Sequence, residues 1–345
     1  MIYENVEFHG VADLRSVSGE SGLRLQRIPE SVRRYLNEKA ALRMLAPDGA
    51  EIRFVAGGEN IEVTLSSAMS ECEVVVFWGG FQDIKRYTVG RKPTTLKLSY
   101  PQRLRQMMEP QAGISGFSPS VWRLTLRGKD KHGVICFHDI QGDNLRPPDP
   151  SELPKQTYLA YGTSITDGFG ATAMHMSFIA QLARQLGANF INLGSAGSAY
   201  CEPQLAEYIA QRDDWDFATL ELSLNMIGGG FDVEAFSQRA RYMVETVADG
   251  NPTRPVVCIT NWNYFGNLCH HVQGPHGSGL NEAYRQALRK IVSDCNRANI
   301  HLLEGADLLH DVTNFSIDLA HPGDAGMTQI AQNLSNRMKI WIKPK

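Results

Sequence analysis

The chain has no cysteine pair at C-x-x-C spacing, no apolar run of membrane-spanning length and no surplus of basic charge. Each absence removes a class of protein. The six cysteines (Cys72, Cys136, Cys201, Cys258, Cys269, Cys295) are scattered, which argues against a zinc ribbon, a redox dithiol or a disulfide framework and for free, buried thiols. The longest apolar runs, such as "VVVFW", fall far short of the ~20 residues a bilayer requires. A formal net charge of -3 gives no electrostatic footing for nucleic acid or an anionic membrane as partner. The opening "MIYENVEFHGVADLR" has early acidic residues and no apolar core, so it does not read as a secretory signal. A cytoplasmic protein is the expectation. Oligomeric state leaves no mark in the sequence.

What is present divides into two halves of different periodicity. From Glu51 to about Ile140 apolar residues alternate: Ile61, Val63 and Leu65 share one face, and "TTLKLSY" and "VWRLTLRG" follow the same rule. Turn formers such as "APDGA", "WGGFQD" and "RGKDKHG" separate these runs, which predicts an antiparallel β-sandwich, jelly-roll-like, over residues 1–146. One helix is expected first, from Pro29 to Ala40. The stretch "DNLRPPDPSELPKQ" carries four prolines, at 147, 148, 150 and 154. They block helix and central strand alike, so residues 147–154 read as a semi-rigid linker.

Beyond it, residues 155–345 alternate strand-like apolar runs ("QTYLAYG", "NFINLG", "FATLELSL", "PVVCITNW", "IHLLEGADL") with helical stretches. The helices are expected at His175–Leu186, Gln204–Arg212, Val233–Asp249, Leu280–Ala298 and Asp324–Ile342. This is the pattern of a parallel sheet covered on both faces, with ligands beyond the carboxyl ends of the strands.

The first of these strands runs into "GTSITDG". No lysine and no G-x-G-x-x-G accompany it, so it does not cradle phosphate. Ser164 is then either a helix cap or a nucleophile held at a strand end. Near the C-terminus "SIDLAHPGD" places Asp318 three residues before His321. A carboxylate at that spacing can hold one imidazole nitrogen and leave the other to take a proton from serine. Gly194, in "NFINLGSAGSA", offers a backbone N–H without a side chain in the way. Asn225, in "ELSLNMIGGG", offers an amide donor after an apolar strand.

Serine, glycine, asparagine and histidine in this order resemble the SGNH (GDSL-like) hydrolase superfamily, from about Lys155 to the C-terminus. The upstream "GVADLRSVSGESGLRLQRIPESVR" is similar to the N-terminal module of one two-domain branch. The resemblance implies a flavodoxin-like three-layer α/β/α domain behind the sandwich. It makes Ser164 the nucleophile, His321 the base and acid, and Asp318 the residue orienting it. Ser164 N–H, Gly194 N–H and the Asn225 side chain would form the oxyanion hole. The family's G-D-S is G-T-S here, and its G-x-N-D is Ser223-Leu224-Asn225-Met226.

The implied activity is a serine esterase working through an acyl-enzyme on short acyl esters, O-acetyl groups on carbohydrates foremost, with no cofactor and no metal. A thioesterase or lysophospholipase with the same triad, and an inactive carbohydrate-binding protein, are the alternatives. The loop "NWNYFGNLCHHVQGPHGSG" has three histidines but no carboxylate or cysteine at ligand spacing. It reads as a substrate wall, with Thr163, Trp262 and Asn263 as lining residues.

Overall fold

The computed structural model describes residues 1–107, 115–130, 132–277 and 279–342. They form two compact units, one of Met1–Arg33, Leu42–Gln156 and Ala183–Ile191, the other of Arg34–Ala41, Thr157–Leu182 and Asn192–Lys345.

The first unit holds two antiparallel sheets. One has the strand order Ile2–Tyr3, Val6–His9, Glu51–Phe54, Trp122–Gly128, Cys72–Trp78, Phe81–Val89; the other Asp13–Ser16, Leu23–Gln26, Ile135–Gln141, Asn60–Ser67, Thr94–Ser99. The alternation seen in the sequence is the core face: Ile61, Val63 and Leu65 are fully buried with Leu124, Leu126 and Phe137. The proline-rich segment is braced rather than loose. Pro150–Glu152 make a 3₁₀ turn capped by Asp149, and Arg146 donates to both oxygens of Glu152 at 2.7 and 2.9 Å.

The second architecture is the three-layer α/β/α fold. Its five-stranded sheet runs Ala188–Gly194, Gln156–Gly162, Phe217–Glu221, Val256–Ile259, Ile300–Leu303. That is the order 2-1-3-4-5, whose direction reverses beside the first strand, so the carboxyl ends of the first three strands frame a crevice. All but four of these strand residues are buried, as strands covered on both faces must be.

Several boundaries differ from the periodicity, among them the helix expected from His175, which starts at Phe178 after a 3₁₀ turn, Met174–Met176. The expected helix from Pro29 to Ala40 is two, Glu30–Arg33 and Glu38–Arg43, because Asn37 restarts it: its Oδ1 accepts the Ala40 N–H at 3.0 Å. The third strand stops at Glu221, and Asn225 lies in a short helix, Leu224–Gly228, instead of continuing the strand. The helix from Leu280 ends at Cys295, where Asn296 turns left-handed. The last helix spans Asp324–Met338. Of the cysteines, four are buried, Cys269 is exposed and Cys295 is half-buried; all are free. Among the described residues, no helix is long and apolar enough to cross a membrane.

Candidate active site

Ser164 sits at the first position of a one-turn helix, Ser164–Asp167, directly after the first strand of the parallel sheet. The cap is Thr163, extended in its backbone, whose hydroxyl accepts the Ile165 N–H at 3.4 Å. Ser164 is thus not the cap: its hydroxyl is free of that duty and meets His321 Nε2 at 2.8 Å. The turn closes on Gly168, at φ 99°, a conformation glycine adopts without strain.

His321 is presented by a tight loop. Ser316 N–H donates to the His321 carbonyl at 2.7 Å, and Leu319 takes a left-handed φ of 48° that costs about 1–2 kcal/mol in a non-glycine residue. That turn brings Asp318 Oδ2 to 2.6 Å from His321 Nδ1. With the Nδ1 proton donated to Asp318, Nε2 is left to accept from the serine. Partial burial acts to raise the Asp318 pKa. The His321 ring and N–H, the Ala320 N–H and the Ser316 hydroxyl overcome it and hold the carboxyl well below its ordinary range. Phe169 meets the His321 ring edge-on, 4.5 Å between centroids. Gly170 admits no side chain, because a Cβ there would lie 2.4 Å from the Pro322 carbonyl oxygen.

A cavity of about 250 Å³ opens over Ser164 and His321. Asn225 lines it, and its Oδ1 accepts the Ala199 N–H at 3.2 Å, which leaves the amide NH₂ for a ligand. Gly197 lines it as well; Gly194 does not. The Gly194 N–H is committed to Asn192 Oδ1 at 2.8 Å, and a Cβ on Gly194 would lie 2.3 Å from the Asp167 nitrogen. At Gly194 the missing side chain lets the Ser164–Asp167 turn lie against the strand. Gly197, at φ 69° in the following turn, is the glycine beside the serine. Thr163 is on the wall, but Trp262 is fully buried and Asn263 accepts from Arg285 Nη2 at 3.0 Å. The aromatic wall comes instead from Tyr264, Phe265 and His276 of the same loop, together with Tyr200. Among the described residues, no three His, Cys, Asp or Glu side chains are grouped to hold a metal ion.

One residue of the site was not singled out in the sequence. Glu221, fully buried at the end of the third strand, accepts through a single oxygen from Thr163 N–H at 2.6 Å, Thr163 Oγ1 at 2.7 Å and Thr166 Oγ1 at 3.2 Å. Gly162 makes the room: a Cβ there would lie 2.6 Å from that oxygen and 2.3 Å from Thr166 Oγ1. Burial lifts the Glu221 pKa to about 7, against the two threonines, while the Trp262 indole also favours the charged form without closing a full hydrogen bond.

The fold is that of the SGNH-type hydrolases. The GDSL-like Lipase/Acylhydrolase family matches residues 155–339, more than half of the chain, and the chain belongs to that family. No curated protein matches the sequence. Among solved structures, a salicylyl-acyltransferase from a tetracycline biosynthetic pathway is similar at a TM-score of 0.73 and 16% identity, with 98% of this chain and 96% of that one covered. A GDSL-like lipase of Bacteroides ovatus gives 0.67 at 17% identity, covering 93% and 92%. A family two carbohydrate esterase of Clostridium thermocellum, solved with cellohexaose, gives 0.61 at 17%, covering 86% and 96%.

Glu221 makes stability depend on pH in an unusual direction. Its folded pKa of about 7 exceeds the ordinary 4.5, so between those values the folded protein keeps a proton that the unfolded chain has shed. The contribution is complete below pH 4.5 and is lost as pH rises through 7; by pH 8 the loss is roughly 3 kcal/mol. Denaturant unfolding at pH 5 and pH 8 should show the stability of the wild type falling relative to Glu221→Gln. An equal change in both proteins would assign the pH dependence to other groups.

Proposed function

We propose that the protein is a serine esterase that hydrolyses short acyl esters, O-acetyl groups on carbohydrates in particular, through an acyl-enzyme. The observation that carries the reading is the continuous hydrogen-bonded line from Ser164 Oγ through His321 to Asp318. A serine hydroxyl is a weak nucleophile until a base removes its proton, and His321 Nε2 stands at the distance general-base catalysis needs. In this reading Ser164 attacks the ester carbonyl while His321 takes its proton. His321 then returns the proton to the departing alcohol. Water, activated by the same imidazole, releases the acid and restores Ser164.

The tetrahedral oxyanion would be held by the Ser164 N–H, the Gly197 N–H and the Asn225 amide. Gly197 replaces Gly194 in this assignment because the Gly194 N–H already has an acceptor. Among the described residues, no acceptor takes the Gly197 N–H. Asp318 keeps the imidazole in the right tautomer and stabilises its cation.

The size of the cavity supports a small acyl group. At about 250 Å³ it lies below the ~300–1,000 Å³ of sites that enclose drug-sized ligands. The carbohydrate part of the reading draws on the esterases among the structural neighbours, whose likeness is one of fold.

Three results are expected. A fluorophosphonate probe should label Ser164 and fail to label Ser164→Ala; labelling elsewhere would remove the nucleophile assignment. Across 4-nitrophenyl esters from acetate to palmitate, kcat/KM should be highest at the short end, and a maximum at palmitate would favour a lipase. Asn225→Ala should lower kcat about 10²–10³-fold with a smaller change in KM, because its bond strengthens as charge develops on the carbonyl oxygen. An unchanged kcat would leave Asn225 only its bond to Ala199.

A further inference from the structure

The cavity over Ser164 has a cationic wall that comes from far upstream. Residues Arg34–Ala41 belong to the compact unit of the hydrolase fold, although more than a hundred residues separate them from its first strand. Asn37 ties this segment down: its amide donates to the Ser198 carbonyl at 3.2 Å and to the carboxylate of buried Glu202. Both partners lie on the loop that carries Gly197. The next turn of the same segment places Lys39 on the cavity, where a methyl group on Gly197 would stand 3.3 Å from Lys39 Nζ.

The charge balance of the cavity is one-sided. Its lining residues are Lys39, two histidines and neutral side chains, with no carboxylate. Among the described residues, none forms an ion pair or hydrogen bond with the Lys39 ammonium. Of the histidines, His321 is engaged with Asp318 and Ser164, and His276 Nδ1 meets the Tyr264 hydroxyl at 3.1 Å. Burial lowers the His276 pKa, so this ring favours the neutral form. Lys39 is the one lysine or arginine in the lining. A lysine exposed on the wall of the cavity that holds Ser164, unpaired among the described residues and with no carboxylate in the lining, is set to receive an anion from the ligand.

We propose that the esters this site selects carry an anionic group, a carboxylate, phosphate or sulfate, within reach of Lys39. The inference rests on the esterase reading and narrows it: the substrate is an acidic ester, with Lys39 as the specificity-determining residue. The anion can sit on the acyl side or on the alcohol side of the scissile bond, and the two call for different probes.

The test compares matched esters by the ratio of kcat/KM for the anionic over the neutral member. Mono-(4-nitrophenyl) adipate against 4-nitrophenyl hexanoate reads the acyl side. 4-Acetoxybenzoate against 4-acetoxybenzamide reads the alcohol side. In at least one pair the wild type should favour the anionic ester, and the ratio should fall about tenfold in Lys39→Gln, fall further in Lys39→Glu and survive in Lys39→Arg. Raising the salt concentration should erode the wild-type ratio and leave that of Lys39→Gln flat, a readout that depends on charge and not on folding. Turnover of the neutral esters with no charge preference in either pair, or a ratio unmoved by Lys39→Glu, overturns this inference and leaves the esterase reading standing. Absence of Ser164-dependent turnover on all four esters overturns both.

Discussion

The arrangement around Ser164 depends on a carboxyl group that never touches the cavity. Glu221 ends a buried strand and gathers three donors of the Ser164 turn onto one oxygen. An ionised carboxylate in such a place must be fully satisfied or lose its charge. Here the balance is close, with burial pushing toward the neutral acid and the threonines pulling toward the anion. The turn cannot move without releasing those donors, so the direction of the Ser164 side chain is fixed from beneath. Gly162 belongs to the same device, since any side chain there would occupy the space of the carboxyl group.

The strands that end at the site were legible because their chemistry is local. Alternation in the first half and continuous apolar runs in the second each require only the burial of one or both sheet faces. The Asp318–His321 spacing was legible for a similar reason: three residues and one tight turn bring the groups together. The choice between Gly194 and Gly197 was not. One ends the strand and the other lies three residues beyond it, and only the competing acceptor on Asn192 and the packing against Asp167 separate them. Trp262 was misleading as a lining residue because an indole serves a core and a binding wall equally well. Its neighbours Tyr264 and Phe265, one turn further on, reach the cavity.

Glu221 did leave a trace. It is an acid inside "FATLELSL", an otherwise apolar run destined for a sheet buried on both faces. In the parallel register Tyr161 pairs with Leu220, which sets Glu221 beside the glycine of the serine turn. Lys39 left none. Its role comes from a segment that Asn37 restarts as a helix and fastens to Ser198 and Glu202, contacts some 160 residues apart in sequence. Periodicity over a short window carries no information at that range.

The threonine in "GTS" takes on a different meaning once Glu221 is placed. Thr163 gives its N–H and its hydroxyl to a buried acid, so the serine turn of this chain is donor-rich where an aspartate would make it acceptor-rich. An aspartate at 163 would face Glu221 across the same few ångströms, two carboxyl groups competing for one proton. Positions 163 and 221 therefore behave as one character written in two places. A serine turn borrowed from a G-D-S relative would not seat here unless the strand residue beneath it were exchanged as well.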